Sequence, residues 1–534
     1  MESPGNCRLD AAQYGKFSSL IEDYLTKNQN AVAFSHAFPD EINLLKQARE
    51  KLAQYDNREV TAEVLVRQLA AFELHPKQKE NLEKFRLSNS VTITTGHQLN
   101  LLTGPLYFFH KILQVLKCCE MMNKNHPEFH FIPIFWMATE DHDFEEINHF
   151  YFQGRKFTWH KDARGAVGRL NLEGMDSVFE DFFQTLPETK FAEELKELIR
   201  NSYLNSKNLT EATQKLVQML FGKKGLLMLD GDDLALKKLM IPAFEEDLLK
   251  QTAFEKISAT NRKLTNLNYA VQVNPREINL FYLGEGGIRE RIVQENDRYR
   301  VLNSDYQFSK EEILKDLHEN PDRYSPNVIL RPLYQETVLP NLAYIGGSGE
   351  CAYWLQLKDF FASQQILFPL IIVRNSFLLI QQRQQRKLEK LGITCEELFL
   401  PLQELIHQKV RKNSTVDMDF GKYESRLEHI FDELEKLATQ TDVTFSKMVN
   451  AERTRQLKGL NRMNQRLMKA EKKKQSELVE RLTHIHTALF PQNNLQERVM
   501  NFSEIQLECG WAFIDEILKE IQPIDFCFCI KAMP

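Results

Sequence analysis

Three consecutive ionisable residues, Asp141, His142 and Asp143, follow almost directly on the apolar run Phe131-Ile132-Pro133-Ile134-Phe135-Trp136-Met137-Ala138. A carboxylate can hold an ammonium group, take a proton or ligate a metal, and an imidazole can do the last two near neutral pH. The same groups could also satisfy one another in a buried hydrogen-bond network. The metal role fits least, because His142 and His149 lie seven residues apart, which is no zinc-motif spacing, and no metal site is expected. A second polar pair, His97-Gln98, ends the β-branched run Val91-Thr92-Ile93-Thr94-Thr95-Gly96. It would contact a substrate or nucleotide, or serve as a cap or core group. Arg331 offers a planar fork to a carboxylate or phosphate, or else forms a structural salt bridge. Gly347, Ser348, Gly349 and Glu350 stand between an apolar run and the helix-like Cys351-Ala352-Tyr353-Trp354. A glycine loop in that context lets backbone N–H groups approach an anion or sugar at a helix N-terminus, unless it only allows tight packing.

Other signals are weaker. Asp230, Asp232 and Asp233 could meet a ribose, a metal or an ammonium, or could cap the helix that follows. The glycines of Gly284-Glu285-Gly286-Gly287-Ile288-Arg289 lie in a hairpin-like context, where turn chemistry competes with a phosphate cradle. Trp354 reads as core, and Cys527 with Cys529 as core packing rather than zinc ligands.

These residues need elements to hold them. Val91 to Thr95 reads as a strand, and Thr103-Gly104-Pro105 leads into an apolar, helically spaced run from Leu106, with Thr103 as its cap. Phe131 to Ala138 is a second, buried strand and Gly225 to Asp230 a third. The sheet resumes at Val328 to Tyr334 with Leu342 to Ile345, and Ile366 to Val373 supplies a fifth strand, ending at Arg374-Asn375. Buried strands separated by helices predict a parallel, Rossmann-like sheet interrupted by two insertions, with ligands at the strands' carboxyl ends.

The expected organisation is a helical part over 1–89, a first Rossmann segment over 90–150, an insertion over 151–224 and a core strand and helix over 225–244. A second, α+β insertion covers 245–324, and a second Rossmann segment covers 325–375. Beyond it the chain changes character. Tyr423, Leu427, Ile430, Leu434 and Leu437 are spaced 4, 3, 4, 3, and Leu478, Leu482, Ile485 and Leu489 are spaced 4, 3, 4. That pattern predicts an α-helical, antiparallel coiled-coil domain over 376–490, with 491–534 returning to the main body. Eleven basic and four acidic residues between Lys447 and Arg481 make a solvated helix face, or a patch for an anion or a partner subunit.

At 534 residues, with 43% hydrophobic content, the chain can bury several cores. A net charge of −6 gives no global reason to expect nucleic acid or a membrane surface. The first residues carry no basic or apolar leader pattern, and no apolar run approaches the roughly 20 residues that span a bilayer. Eight irregularly spaced cysteines fit free thiols, and a cytoplasmic location is expected.

In order along the chain, Thr95-Gly96-His97-Gln98 with Thr103 to Tyr107, Phe135 to Phe144 with Ile147-Asn148-His149, Arg331-Pro332, Gly346 to Glu350, Ala352-Tyr353-Trp354 and Gln496-Glu497-Arg498 resemble the bacillithiol biosynthesis cysteine-adding family, BshC. The resemblance runs nearly the whole length. It implies a Rossmann-like core with two connecting-peptide insertions and a coiled-coil domain used in homodimerisation. It also implies a ligase that joins the carboxyl of cysteine to the amine of glucosaminyl-malate. A free carboxylate is a poor electrophile and the amine is mostly protonated, so ATP with magnesium, through an acyl-adenylate or acyl-phosphate, and a base near the amine would be needed. The core also resembles the nucleotide-binding domain of class I aminoacyl-tRNA synthetases. This chain has His97 but Gly104-Pro105 where a second motif histidine would stand, and no lysine-rich loop of that kind.

The candidate site is therefore Asp141, His142 and Asp143 for catalysis, and His97, Gln98, Asn148, Arg331, Gly347, Ser348, Gly349 and Glu350 for substrate. Thr95, Gly96 and Gly104 are the candidate nucleotide contacts. The competing readings are a nucleotide-binding regulator without turnover and a coiled-coil scaffold.

Overall fold

A computed structural model describes residues 6–533, so the reading of the first residues, Met1 to Gly5, lies outside it. The chain divides into two compact units, Arg8–Leu379 with Asn494–Pro534, and Met1–Cys7 with Ile380–Asn493.

The larger unit is built on five strands: β1 (Ser90–His97), β2 (His130–Met137), β3 (Leu227–Asp230), β4 (Asn341–Gly346) and β5 (Leu370–Val373). They lie in the order β5-β4-β1-β2-β3, and every neighbouring pair is parallel. This is the strand order of a Rossmann sheet, which reverses direction of winding between β1 and β4. The strands are covered on both faces, which is why they read as apolar runs. The polar exceptions are satisfied internally: Thr92 and Thr94 donate to Asn341 Oδ1 at 3.3 and 2.9 Å.

Helix α1 (Tyr107–Asn125) returns the chain from β1 to β2 and buries Phe108, Phe109, Ile112 and Leu113. Its start differs from the sequence reading. Thr103 has φ +66°, lies outside the helix and does not cap it. The C-terminal segment holds the turn instead: Leu106 N–H donates to Met500 O, and Asn501 Nδ2 donates to Leu102 O and Gly104 O at 2.8 and 2.7 Å.

Between β2 and β3 lie a hairpin, His149–Phe152 with Arg155–Thr158, and helices that include Met175–Phe183 and Leu209–Phe221. Between β3 and β4 stands an antiparallel sheet that contains Leu280–Gly284, Ile288–Glu295, Arg298–Val301 and Tyr324–Pro326. The stretch Val328 to Tyr334 is not a strand. Asn327 Oδ1 accepts from the N–H groups of Ile329 and Leu330, at 2.8 and 3.3 Å, and opens helix α2 (Leu330–Val338). The sheet position goes to β4, and helix α3 (Ser348–Leu355) follows it.

The smaller unit is helical: α4 (Leu402–Asn413), α5 (Gly421–Ala438), α6 (Val443–Lys474) and α7 (Ser476–Leu489). Leu482, Ile485 and Leu489 are buried, as their spacing predicts. The first stripe is not. The seam between α5 and α6 is Phe431, Ala438 and Val449 with Leu427 and Phe445, while Tyr423, Ile430, Leu434 and Leu437 are exposed. Among the described residues no helix is long and apolar enough to cross a membrane, and all eight cysteines are free.

Candidate active site

A cavity of about 690 Å³ opens at the carboxyl ends of β1, β2 and β4, with Asn274, Arg276, Phe281, Arg289 and Arg291 of the second insertion across it. Open α/β sheets place their ligands there, outside the strand ends where the winding reverses.

His97 ends β1 and reaches the cavity with a nearly buried ring, set edge-on to Tyr107 at 5.4 Å. Burial, then the charges of Lys111, Arg331 and Arg374, push its pKa well below the ordinary value, so the imidazole is neutral. Its Nε2 has no hydrogen-bond partner.

Lys111, deep in α1, donates to Gly96 O at 2.5 Å and to Glu350 Oε1 at 2.7 Å. Glu350 Oε2 in turn accepts from Gly347 N–H at 2.8 Å, so this carboxylate closes the first turn of α3 and neutralises the lysine. Gly349 borders the cavity with open space where a Cβ would stand.

After β2 the chain presents Asp141 and His142. Gln98 Nε2 donates to Asp141 Oδ2 at 2.8 Å, and the His142 N–H donates to Oδ1 at 2.8 Å. Burial raises the Asp141 carboxyl, but the His142 side chain, then the charge of Arg331 and these two donors, hold it well below the usual carboxylate range. Asp141 therefore stays anionic. The His142 ring meets Arg289, whose Nη1 lies 2.7 Å from its Nδ1.

Cations dominate the lining: Lys111, Arg276, Arg289, Arg291, Arg331, Arg374 and Arg498, against Glu140, Asp141 and Glu350. Arg374 is committed to a two-pronged pair with Glu497, at 2.6 and 3.0 Å. Glu497 also accepts from Ser376 Oγ and Phe377 N–H and meets His110 Nδ1, each at 3.1 Å. Burial would raise the Glu497 carboxyl, but Arg374 and His110 hold it well below its usual range. By contrast Arg276, Arg291, Arg331 and Arg498 form no ion pair among the described residues. Arg331 has only the Tyr353 hydroxyl, at 3.5 Å. Unpaired guanidinium groups around a cavity suit an anion with more than one carboxylate.

Two domain descriptions match the chain end to end. "Bacillithiol biosynthesis BshC, N-terminal Rossmann-like domain" covers residues 7–375, and the C-terminal coiled-coil domain of BshC covers 377–532. The chain belongs to the BshC family. A BshC relative in Flavobacterium psychrophilum is 44% identical over 530 residues, 99% of each chain. Another in Flavobacterium johnsoniae is 43% identical over 516 residues, 96% of this chain and 97% of its own. A third, in Salinibacter ruber, is 31% identical over 525 residues, 96% of this chain and 95% of its own. Each is named "Putative cysteine ligase BshC".

In this BshC chain Gly96, His97, Gln98, Asp141, His142, Arg331, Gly347, Ser348, Gly349 and Glu350 line one cavity. Thr95, Gly104, Asp143 and Asn148 do not. Thr95 Oγ1 donates to Ile345 O at 2.7 Å, joining β1 to β4. Gly104, at φ +65°, is packed against Asn100. Asp143 caps a short helix through Glu146 N–H, and buried Asn148 meets His149 Nδ1 at 3.0 Å. Beyond the cavity, Asp233 caps its helix through Ala235 and Leu236 N–H. Trp354, buried and stacked on Tyr344 at 4.4 Å, forms part of the cavity wall.

Sequence reasoning overlooked Lys111, Arg289 and Arg374. A lysine inside the run Phe108-Phe109-His110-Lys111-Ile112-Leu113 and an arginine directly after a buried strand were the available signals, since lysine and arginine are almost never fully buried in proteins unless paired. Arg289 carried no local mark beyond its hairpin.

Proposed function

We propose that the chain is a cysteine ligase of bacillithiol biosynthesis, joining the cysteine carboxyl to the amine of glucosaminyl-malate as an amide. The relatives' printed name supports the ligase and the cysteine. The observation that supports the second substrate is the group of unpaired guanidiniums, Arg276, Arg291, Arg331 and Arg498, on one cavity. Malate brings two carboxylates, and planar forks bind carboxylates in pairs of hydrogen bonds. Asp141, ionised and beside Gln98, suits the cysteine ammonium. Neutral His97, with an unpartnered Nε2, suits a polar group of either substrate.

The residues present also fit a nucleotide. Arg374 Nε and Trp354 Nε1 are buried without partners on this cavity, and the Gly347–Gly349 loop opens α3 toward it. Thr95 and Gly104 stand away from the cavity, so nucleotide contacts fall to Gly96, that loop and the orphaned nitrogens. ATP, accompanied by magnesium on its phosphates, would supply the activation that a free carboxylate lacks. The chain's own contribution is to hold the two substrates, keep Asp141 charged and exclude water beneath the second insertion.

A homodimer through the helical unit completes the reading. Tyr423, Ile430, Leu434 and Leu437 keep heptad-like spacing on an exposed face, which suits an identical stripe.

The test is direct. Purified protein with cysteine and glucosaminyl-malate, with and without ATP and magnesium, should give bacillithiol by mass spectrometry only when ATP is present. AMP or ADP among the products distinguishes the two activation routes. Folded protein that makes no bacillithiol under any of these conditions overturns the reading.

A further inference from the structure

His142 carries an unused edge. Its Nδ1 lies 2.7 Å from Arg289 Nη1, and its Nε2 has no partner among the described residues. An arginine guanidinium has five N–H donors, no acceptor and no accessible neutral form. At hydrogen-bond distance its partner must offer a lone pair, so Nδ1 is the unprotonated nitrogen and the ring proton sits on Nε2. The competing partner for Nδ1 is Asp141 Oδ1, which would call for a proton there. It lies 3.6 Å away, beyond hydrogen-bond reach, and already accepts from the His142 N–H at 2.8 Å.

Arg289 is well placed to impose this choice. It is 8% exposed, whereas the His142 side chain is 50% exposed. Its Nε and Nη2 are anchored on Ser325 Oγ at 3.3 and 3.2 Å, and its guanidinium lies 4.0 Å over the Phe281 ring. Phe281 also flanks the imidazole, at 5.2 Å between ring centres. The fork is thus fixed from two sides, and the imidazole turns to meet it.

We infer that Arg289 is a positioning residue that holds His142 as the Nε2–H tautomer, so that His142 serves the site as a neutral hydrogen-bond donor to a carboxyl or acyl oxygen rather than as its base. An N–H donor cannot bind an ammonium, so the two neighbours divide an α-amino acid between them: Asp141 takes the ammonium and His142 the carboxyl end. A neutral imidazole used as an electrophile in this way stabilises negative charge that develops on oxygen. The substrate assignment rests on the ligase reading, whereas the tautomer rests on Arg289 alone.

The experiment has two arms. In the first, histidine labelled with a nitrogen isotope is incorporated, and the His142 signals are identified by their loss in His142→Gln. Nitrogen NMR of the free protein should show Nδ1 unprotonated and Nε2 protonated, and added cysteine should shift Nε2. Arg289→Met should give a mixture of tautomers, and Ser325→Ala, a milder change, should move the same way if Arg289→Met does not fold. A protonated Nδ1 in the native protein overturns the tautomer, and an Nε2 signal indifferent to cysteine overturns the substrate contact. In the second arm, His142→Gln and Arg289→Met should each lower kcat by about 100- to 1000-fold, as loss of one such donor does elsewhere, with KM little changed. The double variant should be no worse than His142→Gln, and Arg289→Lys should recover part of the loss. Additive losses, or a change confined to KM, overturn the positioning role. Native protein that makes no bacillithiol counts against the ligase reading, and the first arm then still decides the inference.

Discussion

Arg331 stands on the first turn of α2, and among the described residues its guanidinium hydrogen-bonds only the Tyr353 hydroxyl, so its charge is available to a ligand. A charge-assisted hydrogen bond contributes about 1.5–3 kcal/mol, which is roughly 10- to 100-fold in binding. Arg331→Met should therefore raise KM for glucosaminyl-malate by about that factor, leave KM for cysteine alone and leave the unfolding midpoint unchanged. An equal rise in both KM values would mean that the residue shapes the cavity rather than recognising malate. At this scale the sequence was informative where polarity broke an apolar pattern: His97, Asp141 and His142 follow buried strands. It marked Glu350 as a substrate contact, but not that this carboxylate meets Lys111 and the first turn of α3.

Two elements carry predictions of their own. Gly104 adopts φ +65° in the turn before α1, and an added Cβ would come within 2.8 Å of Asn100 Cβ. Gly104→Ala should cost about 1–3 kcal/mol, read as a lowered thermal midpoint, because strain and overlap act together. An unchanged midpoint would mean that the turn yields freely. Asp247, on the helix Ile241–Lys250, is buried against Asn279, and burial raises its carboxyl from 3.8 to about 7 despite two hydrogen bonds from that residue. Between those values the folded protein keeps a proton that the unfolded chain has lost, so stability falls as pH rises through this window. Urea midpoints measured at about pH 5 and pH 8 should differ more in the native protein than in Asp247→Asn. Equal differences would show that Asp247 is ionised in the fold. Apolar runs found the core strands, yet Val328 to Tyr334 looked like one of them. Its β-branched start was outweighed by the Asn327 cap, and the next run, β4, took the sheet position.

At the scale of the whole molecule, the exposed stripe of α5 is the feature that calls for a partner. Sedimentation should show a concentration-dependent dimer, and Ile430→Glu with Leu437→Glu should give a monomer whose helix content is unchanged. A monomeric native protein would leave the stripe without that role. The spacing of Tyr423 to Leu437 marked an apolar stripe correctly but not its partner. Phe431 and Ala438, on the adjacent face, meet α6 instead.

Buried runs separated by helices and two insertions were legible in the order of residues, and with them a parallel sheet with polar residues at its strand ends. Burial on both faces requires such runs, and parallel strands require crossovers between them. Tertiary structure alone decided which charges are free and which are spent. Arg374 and Glu497, 123 residues apart, close on each other, while Arg331 and Arg498 are left to the cavity. Local spacing carries periodicity but not distant pairing. Whether a charge binds a ligand depends on what the fold brings beside it.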